Sequence, residues 1–370
     1  VKYYILVGEA SGDLHGSHLM KALIIQDPDA DIRFWGGDLM HAVGGTLVTH
    51  YKERAFMGFF EVIQNLRKIT GLIKACKKDI ATFQPDALIF IDNSGFNLRI
   101  AKWAKPLGFK THYYISPQVW ASRASRVPAI KANIDHMYVI LPFVKDFYDT
   151  YDYDVHFVGH PLLDAIAGRK QAALAAFSEK HNLDERPLIA LLPGSRKQEI
   201  TAMLDVMLSL VGDYPDYQFV IAGAPSQDEA FYAPFLKQHK VRLIMNQTYD
   251  ILSFANAALV TSGTATLETA LFKVPQVVCY KANAISYAIA KRIIKLKYIS
   301  LVNLIMDKEV VTELIQHNFN TKTLKAALNQ ILDDYQRVSL FLEYYELEKA
   351  LGGKGASEKT AKLIVGYTKG

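Results

Sequence analysis

Five places in the chain combine residue types that can bind or move charge. In "GEASGDLHG", Gly8, Gly12 and Gly16 recur every fourth residue after the apolar run Ile5–Val7. A strand that runs through a Gly-rich turn into a helix can bring backbone N–H groups to a phosphate. The turn lacks both G-x-G-x-x-G and a closing G-K-[ST]. Glu9 and Asp13, with Ser11 and Gly12 between them, would repel a pyrophosphate but can accept from sugar hydroxyls. The plain alternative is a tight turn whose glycines serve packing. In "LLPGSRKQEI", Gly194 turns the chain and Ser195 is a good helix N-cap. The N–H groups and dipole that follow favour an anion, and Arg196 adds a planar, permanent charge suited to a diphosphate. The alternative is a surface arginine at an ordinary helix start.

"TSGTATLETAL" places Ser262, Gly263 and Thr264 in a small polar turn, with Glu268 in the helix beyond it. Small residues let a diphosphate come close, and a carboxylate can accept from both ribose hydroxyls. The alternative is a capped helix with an acid near its positive end. In "FIDNSGFN", Asp92 follows a strongly apolar run, where a partly desolvated carboxylate can act as a general base. A helix N-cap among Asn93, Ser94 and Asn97 fits equally well. The fifth stretch, "MGFFEVIQNLRKITGLIKACKK", interleaves Phe59, Phe60, Ile63 and Leu66 with Arg67, Lys68 and further lysines. Such a basic amphipathic segment can lie on an anionic bilayer, or pack on a sheet with its charged face in water.

Other charged patterns carry less. "YDYDV" and "DPDAD" read as surface turns, and the 11 histidines show no H-x-x-x-H spacing. His15 and His160 follow Gly-rich turns and either line a site or serve the fold. No metal site is expected.

The elements that must position these residues alternate. Strands are predicted at Tyr3–Val7, Ile32–Trp35, Ala87–Ile91, Lys110–Ile115, His136–Ile140 and His156–Val158, with helices between most of them, the first over Gly16–Ile25. The scheme restarts at "PLIALLPGS" and continues through Gln218–Ala222, Arg242–Met245, Ala258–Val260 and Gln276–Cys279. This is an α/β chain with parallel sheets covered on both faces. Its 370 residues suit two domains. They are predicted as residues 1–163, residues 164–345, and a last helix in 346–370 that crosses back to the first domain. Leu163–Pro187 reads as the linker region. Ligands of such sheets sit at the carboxyl ends of the strands, and two facing domains would make an interdomain cleft.

A net charge of +5 without dense Lys/Arg clusters argues against nucleic acid. Two cysteines, Cys76 and Cys279, argue against a disulfide framework and for a reducing compartment. The opening residues read as a strand rather than a signal peptide, and no apolar run reaches the ~20 residues of a membrane span. A cytoplasmic protein with peripheral membrane contact is the expectation.

Taken in order, "GEASGDLHG", "MGFFEV", "FIDNSGFN", "YYISPQVWA", "VGHPLLD", "LLPGSRKQEI", "TSGTATLETAL" and "YISLVNLI" resemble the lipid-A-disaccharide synthase family, from about Gly8 to Glu313. The resemblance implies a GT-B fold of two Rossmann-like domains and an inverting glycosyl transfer without cofactor or divalent metal. It implies a UDP-2,3-diacylglucosamine donor, and 2,3-diacylglucosamine 1-phosphate (lipid X) as the acceptor whose 6-hydroxyl attacks. The products are a β-1′,6 disaccharide 1-phosphate and UDP. By the same resemblance Asp92 is the general base. Gly194, Ser195, Arg196, Ser262, Gly263, Thr264, Glu268 and Asn303 face the donor. Glu9, Ser11, Gly12 and Asp13 face the acceptor. Phe59, Phe60, Ile63, Leu66, Arg67 and Lys68 form an acyl-chain and membrane patch on the cytoplasmic face of the inner membrane. A homodimer that exchanges carboxyl-terminal segments is also implied, with Asn303 acting in the partner's site. The chain departs from the family pattern where "IDNSGFN" replaces "IDAPDFN", so that Gly95 stands for a carboxylate, and where Ser122 stands for an aromatic. Two other readings stay open: another UDP-sugar enzyme of this fold, such as an epimerase, and an inactive lipid- or nucleotide-binding relative.

Overall fold

Strands that are apolar on both faces need cover on both sides, and the helices between them supply it. The computed structural model describes residues 1–54, 66–169, 172–282 and 296–370. The chain divides into two units, Val1–Gly168 with Leu351–Gly370, and Arg169–Ala350.

The first unit holds β1 (Lys2–Leu6), β2 (Asp31–Gly36), β3 (Thr46–His50), β4 (Ala87–Ile91), β5 (Lys110–Tyr114), β6 (His136–Val139) and β7 (His156–Phe157). They form one parallel sheet in the order β3-β2-β1-β4-β5-β6-β7. The second unit holds β8 (Leu188–Leu192), β9 (Gln218–Gly223), β10 (Arg242–Met245), β11 (Ala255–Thr261), β12 (Gln276–Tyr280) and β13 (Glu313–Ile315). Its parallel order is β10-β9-β8-β11-β12-β13. In each sheet the order reverses once, between β1 and β4 and between β8 and β11. Such switch points open a crevice at the strand ends, where ligands of these folds bind.

Residue alternation in β8 shows how both faces are filled. Ile189 and Leu191 pack with Met203, Leu204 and Phe219 on one side. Leu188, Ala190 and Leu192 pack with Ile251 and Leu252 on the other.

Four features differ from the sequence expectation. The first helix spans Ala10–Gln26, so Gly12 and Gly16 lie inside it rather than in a turn. Their four-residue spacing marks one helix face. A Cβ on Gly12 would sit 3.1 Å from Val7, and one on Gly16 would sit 2.6 Å from the Met40 sulfur. The strands β3 and β13 were not anticipated; both are short, partly exposed edge strands, although the opposite edges β7 and β10 were. Leu163–Pro187 is not one linker. Leu162–Ala167 is a helix of the first unit, and the Leu174–His181 helix carries Phe177 into the second unit's core.

The tail returns to the first unit of its own chain. Its last helix, Ala356–Lys369, is tied at both ends. The Asp164 carboxylate accepts from the Gly355 and Ser357 N–H groups at 2.7 and 3.4 Å. Lys110 Nζ donates to the Tyr367 and Thr368 carbonyls at 3.0 and 3.1 Å, and Lys369 pairs with Asp27 at 2.9 Å. A carboxylate at the positive end and ammonium groups at the negative end match the helix dipole.

Candidate active site

At the first switch point, β1 ends at Leu6 and β4 at Ile91, side by side. Val7-Gly8-Glu9 follows one strand and Asp92-Asn93 the other. The two loops pack closely enough that a Cβ on Gly8 would collide with the Asn93 side chain. Asp92 and Asn93 both take left-handed backbone angles, φ +46° and +43°. Asp and Asn tolerate that region best among residues other than Gly. The bend is pinned from below by buried Asn97. Its Nδ2 donates to the carbonyls of Leu6, Ile91 and Asp92 at 3.3, 3.2 and 2.9 Å. Tyr113 also donates its hydroxyl to the Asp92 carbonyl. This leaves the half-buried Asp92 side chain projecting at the strand end.

Glu9 is the N-cap residue of the first helix and faces Asp92. Loss of water around its carboxyl, followed by the charge and hydrogen bonding of Asp92, raises its pKa. Two acids thus meet at one sheet crevice, and their closeness favours the neutral form of Glu9. Ser11 is exposed in the helix's first turn. Asp13 does a different job from the one expected. It is buried and accepts from the N–H groups of Gly37, Leu39 and Met40 at 2.8, 3.0 and 3.1 Å. Those amides open the Asp38–Val43 helix, so Asp13 caps it from a distance and has no carboxylate face left for a sugar. His15 and His160 are held neutral by burial, which pushes them down to about 4 and about 3.

At the second switch point, β8 leads to Pro193 and to Gly194 at φ +109°. The following helix begins at Lys197, with Arg196 rather than Ser195 as its N-cap. The Ser195 and Arg196 N–H groups already donate to Glu199 Oε2, at 3.2 and 3.5 Å. A Cβ on Gly194 would occupy the same space as that carboxylate. The exposed Arg196 guanidinium has no ion pair among the described residues.

After β11, Ser262 Oγ donates to the Ile299 carbonyl at 2.8 Å. Gly263, at φ +150°, is the N-cap of the Thr264–Leu271 helix, and no side chain caps that helix. Nothing lies within 4 Å of a Cβ built on Gly263, so its surroundings are open. Glu268, one turn further on, is half-buried and accepts from the Tyr249 hydroxyl at 2.7 Å. Burial raises its pKa, and the Tyr249 bond offsets part of that.

Asn303 is fully buried and fully used by the fold. It donates to the Val311 carbonyl and to Glu313 at 2.8 and 2.9 Å, and accepts from the Val310 and Val311 N–H groups at 2.8 and 2.9 Å. The "SLVN" motif therefore ties its helix to β13 and leaves Asn303 no free polar atom for a donor. In the expected membrane patch, Phe59, Phe60 and Ile63 lie outside the described residues. Leu66 and Arg67 open the Leu66–Phe83 helix, and Lys68 is exposed on it. Among the described residues, no helix is long and apolar enough to cross a membrane.

Asn97, Tyr113, Glu199 and Tyr249 shape these sites, and sequence reasoning had not assigned them a role there. Asn97, Tyr113 and Glu199 stood inside quoted motifs, Asn97 also as a candidate N-cap. Tyr249 had none.

The chain as a whole is similar to known proteins. The family described as lipid-A-disaccharide synthetase matches residues 3–364. The lipid-A-disaccharide synthase of Syntrophus aciditrophicus is 39% identical over 373 residues, covering 98% of this chain and 96% of that protein. The Coxiella burnetii enzyme is 34% identical, covering 97% and 96%. Among solved structures, the Staphylococcus aureus MnaA–UDP complex superposes with a TM-score of 0.69 at 13% identity, covering 100% of this chain and 96% of that one. The kitacinnamycin glycotransferase gives 0.67 at 14% identity, covering 98% of each chain. These neighbours share the GT-B fold, with two parallel-sheet α/β domains. Identity above 30% over nearly the whole of both chains carries more than fold, and the chain belongs to the lipid-A-disaccharide synthase family of glycosyltransferases, which act in lipid A disaccharide synthesis.

Proposed function

We propose that the chain transfers 2,3-diacylglucosamine from UDP-2,3-diacylglucosamine to the 6-hydroxyl of 2,3-diacylglucosamine 1-phosphate, with inversion. The observation that carries this reading is the Asp92–Glu9 pair at the first switch point. Asp92 takes the proton of the 6-hydroxyl as its oxygen bonds to the donor's anomeric carbon. The bond from that carbon to the UDP oxygen breaks on the opposite face, and UDP leaves with the electron pair. Glu9, whose pKa the nearness of Asp92 helps to raise, stands beside the base and orients it. The Arg196 guanidinium and the uncapped amides after Gly263 supply positive charge to the departing diphosphate. Glu268, oriented by Tyr249, accepts from the ribose hydroxyls. The exposed Lys68, Lys74 and Lys78 support a peripheral place on an anionic, cytoplasmic membrane face.

The test is direct. Purified protein is given both substrates in detergent micelles, and products are followed by mass spectrometry beside Asp92→Asn. The expected product is a disaccharide monophosphate plus UDP. The variant should bind UDP normally but turn over about 10²- to 10⁴-fold more slowly. UDP release without disaccharide would refute the acceptor assignment. Near-normal turnover by the variant would refute the base.

A further inference from the structure

A groove of about 310 Å³ runs along the first unit between the Ser94–Ala104 helix and the segment that opens the Val127–Asn133 helix. Its floor is apolar, made by Leu98, Ala129 and Ile130. Arg99, Lys102 and Arg126 stand around it, and no carboxylate lines it. All three cations are exposed, and none makes an ion pair or side-chain hydrogen bond among the described residues. Elsewhere in the unit Arg33 pairs with Asp79 at 2.7 Å and Lys145 with Asp149 at 3.2 Å. Three converging positive charges, two of them three residues apart on one helix, repel each other unless an anion joins them.

The position of the groove narrows the choice of anion. Ser94 and Gly95, directly after Asp92 and Asn93, line one end of it. That helix has no side-chain cap, and a Cβ on Gly95 would meet nothing within 4 Å, so there is open space at its first turn. At 1.5 Å rise per residue, Arg99 lies roughly 7.5 Å along the axis from Ser94, and Lys102 roughly 12 Å. Helix side chains lean towards the N-terminal end, the end that follows Asp92.

We infer that this groove binds the phosphate monoester of the acceptor, with the first carbons of an acyl chain on the Leu98–Ile130 floor. The inference rests on the reaction proposed above and adds the subsite that selects a phosphorylated acceptor. The phosphate accepts from Arg99, Arg126 and Lys102, and the sugar's free hydroxyl is left at Asp92.

Arg99→Gln and Arg126→Gln, alone and together, test it beside Lys362→Gln, an exposed cation far from the groove that controls for net charge. Two acceptors are compared, lipid X and the same diacylglucosamine without its phosphate. Wild type should favour the phosphorylated acceptor strongly. Each groove variant should raise KM for that acceptor about 10- to 100-fold and leave donor KM unmoved. KM for the dephosphorylated acceptor should not change, so discrimination collapses. Discrimination that persists in the double variant overturns the inference. So does an equal loss for both acceptors, accompanied by weaker binding to phosphatidylglycerol vesicles, because the groove would then belong to the membrane surface. Binding of each acceptor alone in micelles is measured as well. If wild type makes no disaccharide, the proposed reaction fails, and the binding difference between the two acceptors still decides the groove.

Discussion

Glu199 is the point at which the proposed donor site works against itself. Its carboxylate rests on the Ser195 and Arg196 amides, which a diphosphate near Arg196 would otherwise use. Glu199→Ala should therefore move two readouts in opposite directions. The two bonds are long, 3.2 and 3.5 Å, so the lost cap costs the low end of the usual range, about 0.5–1 kcal/mol. In a unit of this size that lowers Tm by about 1–4 °C. A carboxylate about 5 Å from a phosphate repels it by about 1–3 kcal/mol between water-like and surface dielectric values. The site is partly exposed, so the lower figure applies, and UDP should bind about 5- to 10-fold tighter. Glu199→Gln separates the effects, because its amide oxygen keeps an acceptor on the turn while the charge is gone. It should gain most of the affinity and lose little stability. Calorimetric titration with UDP and a thermal melt on the same samples suffice. UDP affinity that falls together with stability in both variants would show that Glu199 builds the donor site rather than competing for it.

Asp13→Ala strands three helix-opening amides, two of them buried, and should cost about 2–4 kcal/mol in urea denaturation, with Asp13→Asn intermediate. A loss of acceptor affinity at unchanged stability would contradict its role as a cap. Burial holds His160 at about 3, against an unfolded value near 6.5, so the unfolded chain binds the extra proton first and stability falls as pH drops below about 6.5. Between pH 7 and 5 that loss is about 2 kcal/mol for this histidine, and His160→Asn should remove it; parallel curves for both proteins would refute the assignment. Glu268→Gln should weaken UDP about tenfold while leaving inorganic pyrophosphate unaffected, and equal losses for the two ligands would remove Glu268 from the ribose.

The strands at the centre of each sheet were legible because a run such as Ala87–Ile91, buried along its whole length, has few other uses. β3 and β13 were not: β3 has no fully buried position and β13 is three residues long, so neither shows a buried run of its own. Asp92 could be found from its place after a buried strand. Its pairing with Glu9 could not, because that depends on β1 and β4 being neighbours, a fact of strand order rather than of spacing. Asp13 and Asn303 misled for the same reason. Both are polar residues in tight motifs, and their partners, the Gly37–Met40 amides and the Val310–Glu313 segment, carry no mark in the sequence that ties them to those motifs. A polar residue that serves the fold and one that serves a ligand look alike until the buried amides around them are accounted for.

The two switch points set opposite electrostatic conditions on the same topology. Glu9 is the N-cap residue of the first helix, where the dipole favours the charged carboxylate by about 0.3–1 kcal/mol. Its pKa nevertheless rises, so lost solvation and the charge of Asp92 outweigh the dipole. The crevice therefore resists carrying a second negative charge at Glu9. That suits the uptake of a hydroxyl proton and would repel a diphosphate. The second crevice has an uncapped helix start and a guanidinium without an ion pair among the described residues, and the half-buried Glu199 is drawn onto backbone amides. Exchanging the chemistry of the two crevices would need changes at only a few strand-end positions. Glu9→Lys at the first should bring UDP or inorganic phosphate to a place that binds neither in the wild type, and should abolish base catalysis even with Asp92 intact.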